Sequence, residues 1–475
     1  MYNHTKQYRC SIIRGKSQKE MDDLLPAYAL VIDQICPCTH KDFEHLFNTA
    51  FQKFLPESER IKKTLDNHRT EISGKLFGMY FFSENGMVYE SERTKKYLED
   101  SDQPAFFKDI CYKMQFPNGM QKVATTVRQR IEDKICIRPF AFVLKLLQIA
   151  KTANVPITKK SIGYYVLNSL DVLQGNASPY EVLEVISEDQ KNGIERDIIV
   201  PGKASSYTHQ HINEQLNYLE LANLIRITDD KRIILNEEEM NTIDIFTKQY
   251  DRKPDFDVYS YDLSLPEIRK SFQYDWDAYY ARLSIYASKF STKANSLSFA
   301  EKDSNNSKKC KKSSMSLTEF GDEGETLVYE YEKNRVATYN TRLANKVLSL
   351  GKTRGLGYDI QSVIAEPGEM EEFVKYIEVK STKRYTCPNP EDKMWVDTLN
   401  ITRNEFIAAQ QHGFFYSIYR VYFTSKGVTM FMMNNVAQKL NDGKMKATPM
   451  TYRLDFNNDS IDNSVALIVV KGAEK

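Results

Sequence analysis

Residues 375–382 read KYIEVKST, and the folding of this stretch decides what the C-terminal third of the chain can be. Its Tyr, Ile and Val residues favour a β-strand. Yet Glu378 and Lys380 stand two positions apart within it. Side chains alternate faces along a strand, so Tyr376, Glu378 and Lys380 share one face while Ile377 and Val379 share the other. A charge buried alone is costly, so such charges are solvated, paired or bound to a metal. Taken alone, the pattern fits an edge strand with a wet polar face or a cross-strand ion pair as well as a reactive site, and the neighbouring sequence has to choose.

Before this strand stands GLGYDIQSVIAEPGE, residues 355–369. It predicts an extended segment carrying Asp359, then a turn at Pro367-Gly368. The returning strand is FVKYIEVKS. An antiparallel hairpin of this kind brings Asp359 beside Glu378, with Lys380 next along the same face. Two converging carboxylates are hard oxygen ligands suited to Mg2+, which keeps several waters and is completed by substrate phosphate. Such an ion acidifies a bound water and offsets charge building on the phosphate. A neighbouring ammonium can orient the water and stabilise the developing charge. The pattern is that of a phosphodiester hydrolase.

Upstream, DEGETLVYEYEKNRVATYNTRLANKVLSL predicts a helix with Glu325 and Glu332 on one face. Glu325 is either a further metal ligand or a first-turn acid favoured by the helix dipole. Downstream, Thr402 to Glu405 forms a capping box opening ITRNEFIAAQQHGF. Gln410 on that helix either reaches the site or lies on the surface. The strands FFYSIYRVYF and GVTMFMMNN follow, joined at Ser425-Lys426-Gly427. Together these elements predict an α/β core with a mixed sheet.

The run G-E-x-L-V-x-x-Y-E-K, then G-x-G-Y-D-I, then Y-I-E-V-K-S-T, then T-R-N-E resembles the PD-(D/E)XK nuclease superfamily over Asp322 to Met433. The branch it resembles is fused to many bacterial restriction and defence proteins. The resemblance implies that Asp359, Glu378 and Lys380 form the catalytic triad. It also implies that Asp359 and Glu378 bind Mg2+ and that Glu325 is the candidate helix acid. Tyr358 stands before the aspartate where the superfamily name has Pro, at a place that varies within it.

The chain as a whole has 475 residues, 65 basic against 64 acidic, so net charge points neither to nor away from nucleic acid. An apolar fraction of 41%, with 29 Tyr and 25 Phe, is ample for packed cores. No apolar run is long enough to span a bilayer, and MYNHTKQYRC has no signal-peptide core, so a soluble, cytoplasmic protein is expected. Seven scattered cysteines fit a reduced compartment. Cys36-Pro37-Cys38-Thr39-His40 offers two or three zinc ligands, but no second pair follows, and ordinary thiols are expected.

The clearest boundary is the Ser-, Asn- and Lys-rich segment around residues 288–319, which has the composition of a solvated linker. KKCKK within it is a solvated charge run or a phosphate contact. Four regions are expected: recognition subdomains at 1–135 and 136–286, a flexible linker at 287–318, and a nuclease domain at 319–475. Each recognition subdomain carries a helix-then-hairpin pattern. In the first, a helix from Asn67 to Gly78 has Asp66 as N-cap, and Asn85-Gly86 makes a two-residue turn between YFF and MVY. In the second, Ile212, Leu216, Leu219 and Leu224 form a helical stripe before IRI and RIIL. Amphipathic helices precede it, with Thr158 and Ser178 at N-caps and Pro179 in the first turn. Helix plus hairpin fits a winged-helix DNA reader or a protein-binding module. Asn67, His68, Arg69 and Lys75 favour DNA in the first unit, since Asn and Arg match base edges. Arg14 and Lys16 join them as candidate contacts.

IIRGKS, LLPAYA, ICPC, KTLDNHRTEI, GKLFGMY, EDSDQPAFFKDIC, QFPNGM, YYVLNSL, VLQG and EQLNYLELANLIRI resemble the DNA-recognition region of type IIS restriction endonucleases of the BpuJI family, over about residues 8–285. The expected architecture is multidomain, mixed α+β and α/β. Winged-helix-like recognition subdomains precede a restriction-endonuclease-like core. The expected function is Mg2+-dependent, sequence-specific cleavage of double-stranded DNA beside a short asymmetric site, with nuclease domains pairing transiently as a homodimer on DNA. The alternatives are a modification- or end-dependent defence or repair nuclease, and a non-catalytic winged-helix regulator.

Overall fold

The computed structural model describes residues 2–13, 15–198, 204–297, 323–351, 356–365, 373–392 and 395–447. Arg14, the Pro367-Gly368 turn and the KKCKK run lie outside the described residues.

The N-terminal part is mainly helical. Helix Gln18–Ile35 opens on a capping box, in which the Ser17 hydroxyl accepts the Glu20 N–H and the Glu20 carboxylate accepts the Ser17 N–H at 2.9 Å. Strand β1 (Cys38–Thr39) and helix His40–Phe51 follow. Helix Lys62–Asp66 then runs on through Asn67–Leu76 in wider turns, with the Phe77 N–H donating to the Ile72 carbonyl five residues back. The helix thus starts before the expected Asn67. Asp66 lies inside it in helical conformation and is not the N-cap.

Strands β2 (Tyr80–Phe82) and β3 (Met87–Glu90) form the expected hairpin, in a sheet ordered β1-β3-β2. Its turn is one residue longer than expected. The Ser83 N–H meets the Met87 carbonyl and the Gly86 N–H meets the Ser83 carbonyl, so Glu84, Asn85 and Gly86 make the turn. Gly86 takes φ +80°, which costs glycine little. The second unit has helix Ala204–Leu221, then β4 (Ile225–Ile227) paired with β5 (Ile233–Leu235). Ile212, Leu216, Leu219 and Leu224 are all buried, as the stripe predicts. Thr158 and Ser178 cap their helices as expected, and Pro179 opens helix Pro179–Lys191. One apolar cluster runs from Tyr2 to Phe290, so the expected divide at residue 135 falls inside a continuous core. Each fully buried side chain such as Phe77, Phe107 or Leu216 contributes roughly 1.5–3 kcal/mol.

The C-terminal part is a helix, a five-stranded sheet and further helices. Helix Glu323–Tyr339 precedes β6 (Leu348–Ser349), β7 (Ile360–Val363) and β8 (Val374–Lys383). Helix Arg403–His412 then leads to β9 (Tyr416–Thr424) and β10 (Gly427–Asn434). The order is β10-β9-β8-β7-β6; β8 and β9 are parallel and the other neighbours antiparallel. A parallel pair needs a crossover, which helix Arg403–His412 provides. Ile377 and Val379 pack with Val328 and Val336 of helix Glu323–Tyr339. Tyr376 packs on the other face with Ala408, Ala409 and Tyr416. Strand β8 is therefore central and covered on both faces, which removes the edge-strand reading of KYIEVKST.

Residues 287–297, expected as the start of a flexible linker, are packed against both parts. Phe290, Thr292 and Leu297 are buried, and the Thr292 N–H donates to Asp102 at 2.7 Å. Asn223 and Asn236 both hold the Ser296 carbonyl, and Leu297 enters the C-terminal core. The parts also meet through the Lys383 N–H on the Ser101 carbonyl at 3.2 Å and Arg226 on the Leu297 carbonyl at 2.8 Å. Among the described residues no helix is long and apolar enough to cross a membrane.

Candidate active site and nucleic-acid interface

Ile360 pairs with Ile377, so Asp359 comes to the strand end opposite Glu378. The ladder loosens there. The Asp359 N–H donates to the Ile377 carbonyl at 2.9 Å, and Asp359 Oδ2 accepts the Val379 N–H at 2.8 Å. The two bonds bracket Glu378 and fix the aspartate carboxylate alongside it. Gly357 sets the approach. It has φ +75°, and a Cβ there would stand 2.6 Å from the Asn404 carbonyl, so the chain before Asp359 presses against the start of helix Arg403–His412. The Tyr416 hydroxyl holds the Gly357 carbonyl at 3.0 Å.

Glu378 is 4% exposed. Burial, reinforced by the charges of Asp359 and Glu405 and opposed by Lys380, raises its carboxyl well above the usual range. Lys380 Nζ lies 2.8 Å from Glu378 Oε1 and 2.9 Å from Glu405 Oε2. Burial alone would lower the ammonium, but the two carboxylates outweigh it and raise it. The expected trio Asp359, Glu378 and Lys380 is thus brought together on one side of β8.

Glu405 was legible in sequence only as the third residue of a capping box, a role it also fills, since its Oε2 accepts the Thr402 N–H at 2.9 Å. The parallel crossover that lays this helix start over β8 is the signal that places it at the site. Glu325 lies in the first turn of its helix with its carboxylate against Gly351, where a Cβ would stand 2.2 Å from Oε2. Gly351 follows Leu350, whose N–H donates to the Asp359 carbonyl, so Glu325 packs beside the segment that pairs with the Asp359 backbone. Glu332, expected on the same face, is fully buried. It is held by Arg335, Ser362 and Tyr419, which makes it a packing anchor. Gln410 is exposed.

Among the described residues no group of three or more His, Cys, Asp or Glu side chains comes close enough to hold a metal ion, and Cys36 and Cys38 are free thiols. The oxygen donors at this end of β8 are the two carboxylates of Asp359 and Glu378. Such a pair fits Mg2+, which needs only one or two carboxylates beside water and substrate phosphate.

The N-terminal part carries a cleft of about 540 Å3. Ile12, Ile13 and Ile72 give it apolar lining; Lys16, Asn67, Glu71, Gln121, Gln210 and Glu214 give it polar lining. The N-terminal arm lies between the two hairpin units. The Tyr218 hydroxyl holds the Ile13 carbonyl at 3.3 Å, and His211 Nδ1 accepts the Ile12 N–H at 3.3 Å. Asn67 is exposed at the cleft, and Lys16 reaches it while pairing with Glu20 at 3.3 Å. Lys75 pairs with Glu71 at 2.8 Å.

Two expected contacts turn inward instead. His68 is 1% exposed, with Nδ1 against the Tyr28 hydroxyl, and burial foremost with Lys16 next pushes its imidazole down to about 4. Arg69 is buried and pairs with Asp66 at 2.7 Å and Glu44 at 3.2 Å. Successive helical residues point about 100° apart, so with Asn67 at the cleft the next two side chains turn toward the core. Neither reaches a base edge in this conformation.

Residues 324–433 match the family described as Protein NO VEIN, C-terminal. No curated protein matches the chain. Among solved structures the chain is similar to the BpuJ1 endonuclease binding domain, solved in complex with pyrene- and phenanthrene-modified DNA. The identity is 51% and the TM-score 0.57, over 59% of this chain and 100% of that one. Residues 2–277 match the family described as Restriction endonuclease BpuJI, N terminal. With more than half its length matched, the chain belongs to the BpuJI N-terminal restriction endonuclease family.

Proposed function

We propose that the chain is a sequence-specific, Mg2+-dependent endonuclease of type IIS character. In this reading its N-terminal part, up to about residue 286, reads double-stranded DNA through winged-helix-like units. Its C-terminal part, from about residue 319, cuts beside the site with a PD-(D/E)XK core. The observation that carries the reading is the meeting of Asp359, Glu378 and Lys380 on a covered central strand, in a chain whose other part resembles a domain solved with DNA.

Asp359 and Glu378 would hold the Mg2+ ion, which supplies charge neutralisation at the phosphate and a more acidic water. Lys380 presents its ammonium beside the carboxylates, where it orients the attacking water and stabilises charge on the phosphate oxygens. Asn67, Gln121 and Gln210 suit base edges, since amide side chains pair bidentately with adenine, and Lys16 suits a phosphate. Lys75 contributes positive charge at the helix end. A transient pair of C-terminal parts on DNA would cut both strands, because the described residues of each chain carry one such trio.

The test is incubation of the full chain with plasmid and Mg2+, followed by sequencing of the ends. Ends clustered at a fixed offset from one short asymmetric sequence are expected. Cutting only near pre-existing ends, or only on modified DNA, would favour a defence or repair nuclease. No cutting of any DNA would leave a binding protein.

A further inference from the structure

We propose that Glu405 is the positioning residue for Lys380, an assignment that rests on the nuclease reading above. An ammonium has three N–H donors on a flexible four-carbon stem that must be ordered to aim them. One donor goes to Glu378 Oε1 at 2.8 Å, and a second to Glu405 Oε2 at 2.9 Å. Glu378 is on the same strand and is itself a ligand of the reaction centre, so it cannot serve as a fixed anchor during turnover. Glu405 stands on a separate element and is clamped. Its N–H donates to the Thr402 hydroxyl at 3.3 Å, and its Oε2 accepts the Thr402 N–H at 2.9 Å. The carboxylate is 12% exposed, so solvent screens the pair little. One oxygen therefore closes the helix cap and fixes the ammonium, which leaves the third donor for the substrate side. The helix start, packed on Gly357 next to Asp359, ties Lys380 to the frame that sets the aspartate.

The test uses the full chain with Glu405→Ala, Glu405→Gln and Thr402→Ala, read in two ways. The first is single-turnover cleavage at saturating DNA, alongside DNA affinity. Glu405→Ala should cut at least about tenfold more slowly with affinity unchanged, the signature of a group that acts in the transition state. Glu405→Gln keeps an acceptor oxygen and should recover most of the rate. Thr402→Ala removes the cap hydroxyl but keeps the Thr402 N–H on Glu405 Oε2, so its loss should be clearly smaller than that of Glu405→Ala. The second readout needs no activity: amine acylation of Lys380 read by mass spectrometry. Labelling should rise several-fold in Glu405→Ala and not in Thr402→Ala. Unchanged labelling in Glu405→Ala, or equal losses in Thr402→Ala and Glu405→Ala, overturns the assignment. A wild-type chain that cuts nothing overturns the nuclease reading instead, and the labelling still reports whether Glu405 holds Lys380.

Discussion

Arg384 reaches Asp22 at 3.8 Å across the seam between the C-terminal sheet and helix Gln18–Ile35, and both side chains are 6% exposed. Arg384 also faces Asp397, which accepts Arg420 Nε at 2.9 Å and the Tyr422 hydroxyl at 2.6 Å. The ion pair joins the part that resembles a DNA reader to the residue just past the end of the strand that carries Glu378 and Lys380.

Burial, only partly offset by Arg384, pushes the Asp22 carboxyl up to about 7. A folded value above the unfolded one means that folding takes up a proton at Asp22, so the contribution of this group to stability is greatest at low pH and falls as pH rises from about 4 to about 7. A rise from 3.8 to about 7 corresponds to on the order of 4 kcal/mol between the protonation states. Asp22→Asn should therefore melt higher than wild type at about pH 8.5, and the gain should shrink toward about pH 5. Thermal unfolding at both pH values checks this; a gain of equal size at both would show that Asp22 is not the titrating group.

The reader cleft gives a second prediction. Asn67→Ala should cost about 1–3 kcal/mol in specific binding if the amide meets a base edge. Lys16→Ala should weaken all duplexes alike and reduce the salt slope by about one. Arg69→Ala should act differently, lowering the melting temperature through loss of its pairs with Asp66 and Glu44. Fluorescence anisotropy across a salt series, with melts of each variant, separates these outcomes. A shift in base preference with no change in melting for Arg69→Ala would contradict the inward placement.

Two-strand cutting supplies a third. One chain carries one trio of Asp359, Glu378 and Lys380, and a two-fold pair is the commonest way for two identical chains to meet. Plasmids with two sites should be cut faster than plasmids with one. Equal rates, with double-strand cutting first order in enzyme below saturation, would point to one C-terminal part acting twice.

Much of the candidate site was legible because its signals are local. The antiparallel hairpin of β7 and β8 follows from alternation and sets Asp359 opposite Glu378 without any long-range information. Glu405 was hidden because its capping role already explained its presence, and only the parallel crossover reveals the second role. His68 and Arg69 misled because residue type was weighed without helix phase: three consecutive helical residues point about 100° apart and cannot share one DNA-facing side. The packing of residues 287–297 was illegible for a related reason. A Ser- and Lys-containing segment of short helical turns reads as solvated until its partners, here Asp102, Asn223 and Asn236, are known.

The central claim is that Asp359, Glu378 and Lys380 do the cutting while the other part reads DNA. The most direct measurement is cleavage of a bound duplex in Mg2+ by wild type, Asp359→Asn, Glu378→Gln and Lys380→Ala, with binding followed in Ca2+. Each variant should lose at least about 100-fold in rate and bind the duplex as wild type does, and chelation of the metal should stop wild type as completely. Near wild-type cutting by Glu378→Gln, or undiminished cutting by wild type after the metal is removed, would contradict the account.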